Sequence, residues 1–206
     1  AAFDLYKQYP EYQKINHRMT LEEFKDIFFW EWIHRVIGRV IGMVFMIPFV
    51  YFLIKKRLTP STIKKCLVLM LMGSMQGFLG WYMVKSGLVE RPDVSHYRLA
   101  MHLTTAFLTF AYTLWVALDL IYPHAKGIGA HWPSMKTALR AGYVVLVIQI
   151  IYGAFVAGLD AGWIHNHWPK MSDGLWIHET VTQELRPIWK NFVEGKSGVQ
   201  FVHRTL

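Results

Sequence analysis

Two groups of titratable side chains stand in or beside apolar runs of this sequence, and each has the makings of a chemical site. Glu31, His34 and Arg35 form a Glu-x-x-His-Arg group, in which residues three apart share one face of a helix. His102 follows, a few positions into a later apolar run, with Arg98 one turn before it. His203 and Arg204 lie in Phe201-Val202-His203-Arg204, which repeats in type Trp32-Ile33-His34-Arg35 about 170 positions earlier. Ionisable groups are costly inside a membrane, so those found there are read first as functional. Two imidazoles on facing helices can occupy both axial positions of a haem iron, and an adjacent carboxyl adds an acid or base. The plain alternative is that each histidine is structural, hydrogen-bonded to a neighbour. Zinc is less well supported than haem, because no third ligand stands at a matching position.

The elements that must hold these residues are apolar helices. Hydrophobic residues make up 53% of the 206, aromatic residues 16% and charged residues only 17%. A typical soluble domain carries about 25% charge. Four runs are long enough to cross a bilayer core, which takes about 20 helical residues. They lie at 28–54, 66–84, 99–121 and 141–161, with Pro48 a kink inside the first. The reading is therefore an all-α membrane four-helix bundle. An outer-side loop or amphipathic segment occupies 1–27, the bundle 28–161, and an outer loop with the start of the next span 162–206. No cleavable signal peptide is visible, and the mixed-charge start reads as a loop.

The net charge of +8 does not point to nucleic acid, because it falls in short blocks between apolar runs. Lys55, Lys56, Arg57, Lys64 and Lys65 follow the first run, and Lys126, Lys136 and Arg140 follow the third, with no acid among them. Such loops face the cytoplasm or matrix. Both ends of the chain then lie outside, and His34 and His102 fall at similar depth in the outer leaflet. Gly38 with Gly42, Gly73 with Gly77, and Gly153 with Ala157 have the small-x-x-x-small spacing of close helix contacts. Gln76 and Gln149 fall near mid-membrane, as helix-to-helix hydrogen bonders or as the lining of a polar pocket. Arg35, Arg39 and Arg98 either neutralise haem propionates or snorkel to the interface. His165, His167 and His178 belong to a tryptophan-rich outer loop and read as solvated, and His96 is less well placed for ligation than His102. The single cysteine, Cys66, forms no internal disulfide.

The sequence also resembles the haem A synthase family. The resemblance is carried by Phe3-Asp4-Leu5-Tyr6-Lys7, Met19-Thr20-Leu21-Glu22-Glu23-Phe24-Lys25, Glu31-Trp32-Ile33-His34-Arg35 and Gln76-Gly77-Phe78-Leu79-Gly80-Trp81-Tyr82. Tyr97-Arg98-Leu99-Ala100-Met101-His102-Leu103, Gly153-Ala154-Phe155-Val156-Ala157-Gly158-Leu159-Asp160 and Val199-Gln200-Phe201-Val202-His203-Arg204 complete it. It implies two pseudosymmetric four-helix halves, eight helices in all, of which this chain would cover the second to fifth. It further implies an oxidoreductase that converts the C8 methyl of haem O to a formyl group, by successive hydroxylations and loss of water from a geminal diol. The haem A formed supplies cytochrome oxidase. In that scheme His34 and His102 ligate the substrate haem O, and His203 is the first ligand of a haem b. Glu31 is the acid beside the substrate iron, and Arg35 and Arg98 bind haem. The bacterial cytoplasmic membrane or the mitochondrial inner membrane would be its place. A haem O synthase, oxidase assembly factors and further copies of the chain would be partners. The paired loop cysteines of some members are missing. Without the resemblance, the residues support a haem-binding membrane bundle, with an electron-transfer cytochrome and a proton relay as the rival functions.

Overall fold

Thr20 sets where the first long helix begins. Its backbone is extended, its hydroxyl accepts from the Glu23 N–H, and the Glu23 carboxylate accepts from the Thr20 N–H at 2.7 Å. This reciprocal pair satisfies two amides that a helix start otherwise leaves unpaired. In the computed structural model, which describes residues 2–87, 94–123 and 133–206, the chain is helical and holds no strand among those residues. It divides into two compact units, Ala1–Asp93 and Val94–Leu206.

In the first unit, two short helices, α1 (Ala2–Tyr6) and α2 (Pro10–Lys14), precede α3 (Leu21–Ile54). Phe3 and Tyr6 lie with ring centroids 5.0 and 5.1 Å from buried Phe24, and Tyr12 meets both edge-on, so the polar-looking opening is tied to the base of α3. Residues 55–59 then turn the chain into α4 (Pro60–Gly87), where the Thr59 hydroxyl accepts from the Thr62 N–H. At about 1.5 Å per residue, the 34 residues of α3 run well beyond a bilayer core. Along it Ile41, Val44, Ile47 and Ile54 are 64–72% exposed, an apolar stripe that only lipid or another helix would cover.

The second unit opens with α5 (His96–Ile121), followed by α6 (Pro133–Gly158), α7 (Thr180–Gln183) and α8 (Lys196–Thr205). Its core joins Ala100, Ala154, Phe155 and Val199 from α5, α6 and α8. A Cβ on Gly158 would stand 2.8 Å from the His96 backbone, so glycine is what lets α5 and α6 approach there. On α5 the hydroxyls of Thr105, Thr109 and Thr113 each donate to the carbonyl four residues earlier, a device that satisfies them inside lipid.

All four long helices are apolar enough to cross a membrane. They differ from the apolar runs mainly at their starts, which come at Leu21, Pro60, His96 and Pro133 because capping and turn chemistry, not hydropathy, decides where a helix begins. The last span ends at Gly158, three residues before the apolar run does. Asp160 takes a left-handed conformation (φ 51°), and the Ala161 and Asp160 amides fold back onto the carbonyls of Val156 and Ala157. Glu90, Arg91, Asp93 and Lys126, four of the loop charges that bear on orientation, lie outside the described residues.

Candidate functional site

Glu31, His34 and Arg35 project from the first half of α3. Arg35 Nη1 donates to Glu31 Oε1 at 2.8 Å across one turn, which fixes the direction of the carboxylate. His34 lies between them in sequence and is exposed on the surface of its own unit. The two Gly-x-x-x-Gly pairs of this unit, Gly38 with Gly42 and Gly73 with Gly77, have nothing within 4 Å of where a Cβ would be. Among the glycines of the four long helices, the close approaches instead fall to Gly153 and Gly158.

In the second unit, Arg98 and His102 lie one turn apart on α5, both partly buried, and the Nδ1 of His102 is shielded from solvent. His203 stands on α8 against α6. A Cβ on Gly153 would be 3.3 Å from its Cε1 and 3.9 Å from each ring nitrogen, so the imidazole edge fills the space left by the glycine. Four residues earlier on α6, Gln149 Nε2 donates to the His203 carbonyl at 2.9 Å. The His203 Nδ1 and the Gln149 Oε1 are both buried without a hydrogen-bond partner among the described residues. Buried polar atoms of this kind call for an explanation, such as an absent ligand or ion. Gln149 thus bonds a neighbouring helix, the plainer of its two expected roles, but does so at the histidine itself.

The outer segment corrects the reading of its histidines as solvated. His165 is 6% exposed. Its Nδ1 lies 2.8 Å from the Ser172 hydroxyl and its Nε2 3.1 Å from that of Ser197. Ser197 accepts from Thr180, whose hydroxyl is 2.8 Å from His178 Nδ1, and His178 Nε2 faces Asp173 at 3.4 Å. Burial first, then the nearby His178 and Arg204, hold the His165 pKa below its ordinary value, with Asp173 opposing them. His167 is exposed and contributes only its carbonyl, which receives the Arg204 guanidinium along with the carbonyls of His165 and Lys170. His96 is structural as well, with Nε2 2.9 Å from the Val193 carbonyl and its ring edge-on to Phe155.

The repeat extends one residue ahead of its four matching positions. Glu31 stands three before His34, and Gln200 stands three before His203. Gln200 is buried, and its Nε2 donates to the Gly162 carbonyl at 3.0 Å. The acid of the first group thus has an amide as its counterpart in the second.

Among the described residues no three His, Cys, Asp or Glu side chains gather closely enough to hold a metal ion. Isolated imidazoles on membrane helices suit a metal that brings its own equatorial ligands and needs only axial ones, as a haem does.

Four spans and an apolar exterior define an integral membrane protein of the polytopic helical class. The family model described as cytochrome oxidase assembly protein (COX15-CtaA) matches residues 1–206, and the chain belongs to that family. It is 64% identical, over all of its length, to a Flavobacterium johnsoniae protein named Heme A synthase, of which it covers 60%. Proteins of the same name from Flavobacterium psychrophilum and Rhodospirillum centenum are 59% and 47% identical over the whole chain, which covers 60% and 54% of them. The chain therefore spans somewhat more than half the length of these curated relatives. No solved structure matches it.

Proposed function

We propose that this chain works within a haem A synthase, oxidising the C8 methyl of haem O to a formyl group to make haem A for cytochrome oxidase. The observation that carries this reading is the 64% identity over the full chain to a protein named Heme A synthase. In it His34 and His102 ligate the substrate haem O, and His203 would be a ligand of a haem b. The orphaned Nδ1 of His203 and the cradle at Gly153 fit a ring held for a partner outside the described chain. When bound, the haem b supplies electron transfer. Arg35 and Arg98 meet haem propionates, because a guanidinium matches a carboxylate bidentately.

In this reading Glu31 carries the proton chemistry. Arg35 holds its Oε1, leaving Oε2 to accept or deliver a proton beside the methyl group or to stabilise positive charge there. The counterpart Gln200 has no proton to give, which fits a division between a reacting half and an electron-transfer half. The parallel Glu31/His34 and Gln200/His203 groups support an eight-helix architecture of two like halves, with 1–27 and 162–195 as outer-side segments. The bacterial origin of these relatives supports the bacterial cytoplasmic membrane as its place. A haem O synthase, oxidase assembly factors and further copies of the chain are the partners this reading names. The Glu31–Arg35 ion pair also favours a second reading, a bis-histidine cytochrome that only transfers electrons, since a carboxylate so held also serves structure alone.

Extraction of haem from the complete purified protein, followed by chromatography and mass determination, separates the two. Haem O, hydroxylated intermediates or haem A beside haem b are expected, and a Glu31→Gln protein should accumulate haem O without haem A. Haem b alone would transfer the assignment to a cytochrome. Extraction of no haem at all would end the ligand roles of His34, His102 and His203.

A further inference from the structure

We propose that Gln149, acting with Gly153 one turn along α6, is a positioning residue for the imidazole of His203. The inference rests on the reading of His203 as an iron ligand and adds what holds that ligand in place. An axial histidine must be fixed both in the depth of its helix and in the rotation of its ring, and the groups that do this tune affinity as strongly as many ligands do.

The two α6 residues divide that work. Gln149 grips the backbone of the ligand residue, with Nε2 2.9 Å from the His203 carbonyl. A bond to that carbonyl sets how far α8 slides and turns against α6, and in lipid no water competes for the amide. Gly153 shapes the space for the ring, whose Cε1 edge comes within 3.3 Å of where a Cβ would be, closer than ordinary van der Waals contact. Both ring nitrogens stand 3.9 Å from that point, so the edge that faces α6 is carbon and neither nitrogen is turned squarely into the helix. The ring is set for ligation along the side of α6 rather than bound to it. Residues 149 and 153 are four apart and so lie on one stripe of the helix. The carbonyls of the last turn of α8 are the ones without an intrahelical partner, and that of His203 is the one Gln149 meets. Meeting the carbonyl of the histidine, one turn from the glycine beneath its ring, couples both constraints to one residue.

The test uses the complete protein in detergent, with haem content and the low-spin ferric electron paramagnetic resonance spectrum as readouts. Gln149→Leu removes the donor, and retention of the haem at His203 is expected to weaken about 10-fold, with a displaced low-spin signal. Gln149→Glu, protonated in an apolar setting and so still a donor, should restore both. Gly153→Ala should shift the low-spin signal while leaving haem content near normal, because the ring must give by a few tenths of an ångström. His203→Ala is the reference. If it loses a haem while Gln149→Leu keeps both content and spectrum, the positioning role is wrong and the ligand stands. If His203→Ala retains every haem with unchanged spectra, the ligand assignment fails and the proposal with it. Should Gln149→Leu also lose the haem assigned to His34 and His102, it reports misfolding, and the Gly153→Ala spectrum decides, an unchanged signal overturning the proposal.

Discussion

His165 differs from the histidines proposed as ligands in how it is satisfied. Both of its nitrogens already meet hydroxyls, Ser172 and Ser197, and hydroxyls can serve as donor or acceptor. Its neutral form is favoured by burial and by the nearby His178 and Arg204, against a single opposing carboxylate, Asp173. A folded-state pKa below the ordinary 6.5 means that the unfolded segment binds more protons in the interval between the two values. Stability is then complete above about pH 6.5 and declines as the pH falls through that window. Amide protection factors across residues 162–199, taken relative to the intrinsic exchange rate at each pH, should accordingly fall between pH 7.5 and 5.5, while those of the lipid-facing parts of α5 and α6 hold steady. A His165→Gln protein, which cannot take up the proton, should lose most of that pH dependence. Equal loss of protection in both proteins would remove His165 as the cause.

At the scale of elements, what positions the candidate ligands is a few close approaches rather than a large core. Asn191 is wholly buried, accepting from the Leu185 N–H and donating to the carbonyls of Thr182, Leu185 and Ile188, so that it closes the turn on which α8 rests. Glu184 accepts from the first amides of α8, Lys196 and Ser197, in place of a local cap. Gly198 lies under that turn, and a Cβ there would fall 2.2 Å from the Asn191 carbonyl oxygen and 3.1 Å from that of Val181. Those are backbone atoms and cannot swing aside. Gly198→Ala should therefore cost about 2–3 kcal/mol, at the upper end of overpacking penalties, and lift α8 from the outer segment. Thermal unfolding read in detergent should show the loss, whereas Gly73→Ala, which meets nothing within 4 Å, serves as the control and should behave as the parent. The sequence spacing of glycines could not make that distinction. Gly73 and Gly77 carry the more recognisable pattern, but which glycine faces a backbone depends on the rotation of each helix, and that is a tertiary property.

For the whole molecule, hydropathy was enough to read an all-α chain with four spans, because lipid allows few other solutions for the backbone. It marked Glu31, His34 and His102 for the same reason, since the cost of an ionisable group in hydrocarbon is visible in composition alone, whereas His203 was marked only by its repeat and by the family resemblance. It could not read the folded outer segment, where His165, Thr180 and Ser197 come together from 33 positions of chain that have no periodic pattern. Nor could it see that Gln149 meets His203 across 54 positions. Orientation is the molecular property that charge does predict. Lys55, Lys56 and Arg57 sit on the short turn between α3 and α4, and translocating three uncompensated cations is disfavoured. That turn should face the cytoplasm, which puts the 162–195 segment and its histidine network outside. In a Cys66→Ser background, Arg57→Cys should resist a membrane-impermeant maleimide in intact cells and react once the cytoplasmic face is opened. Trp176→Cys, exposed on the outer segment, should react in intact cells. The reverse pattern would place His34 near the cytoplasmic side, and any proton taken up by Glu31 would then be drawn from the cytoplasm rather than from outside.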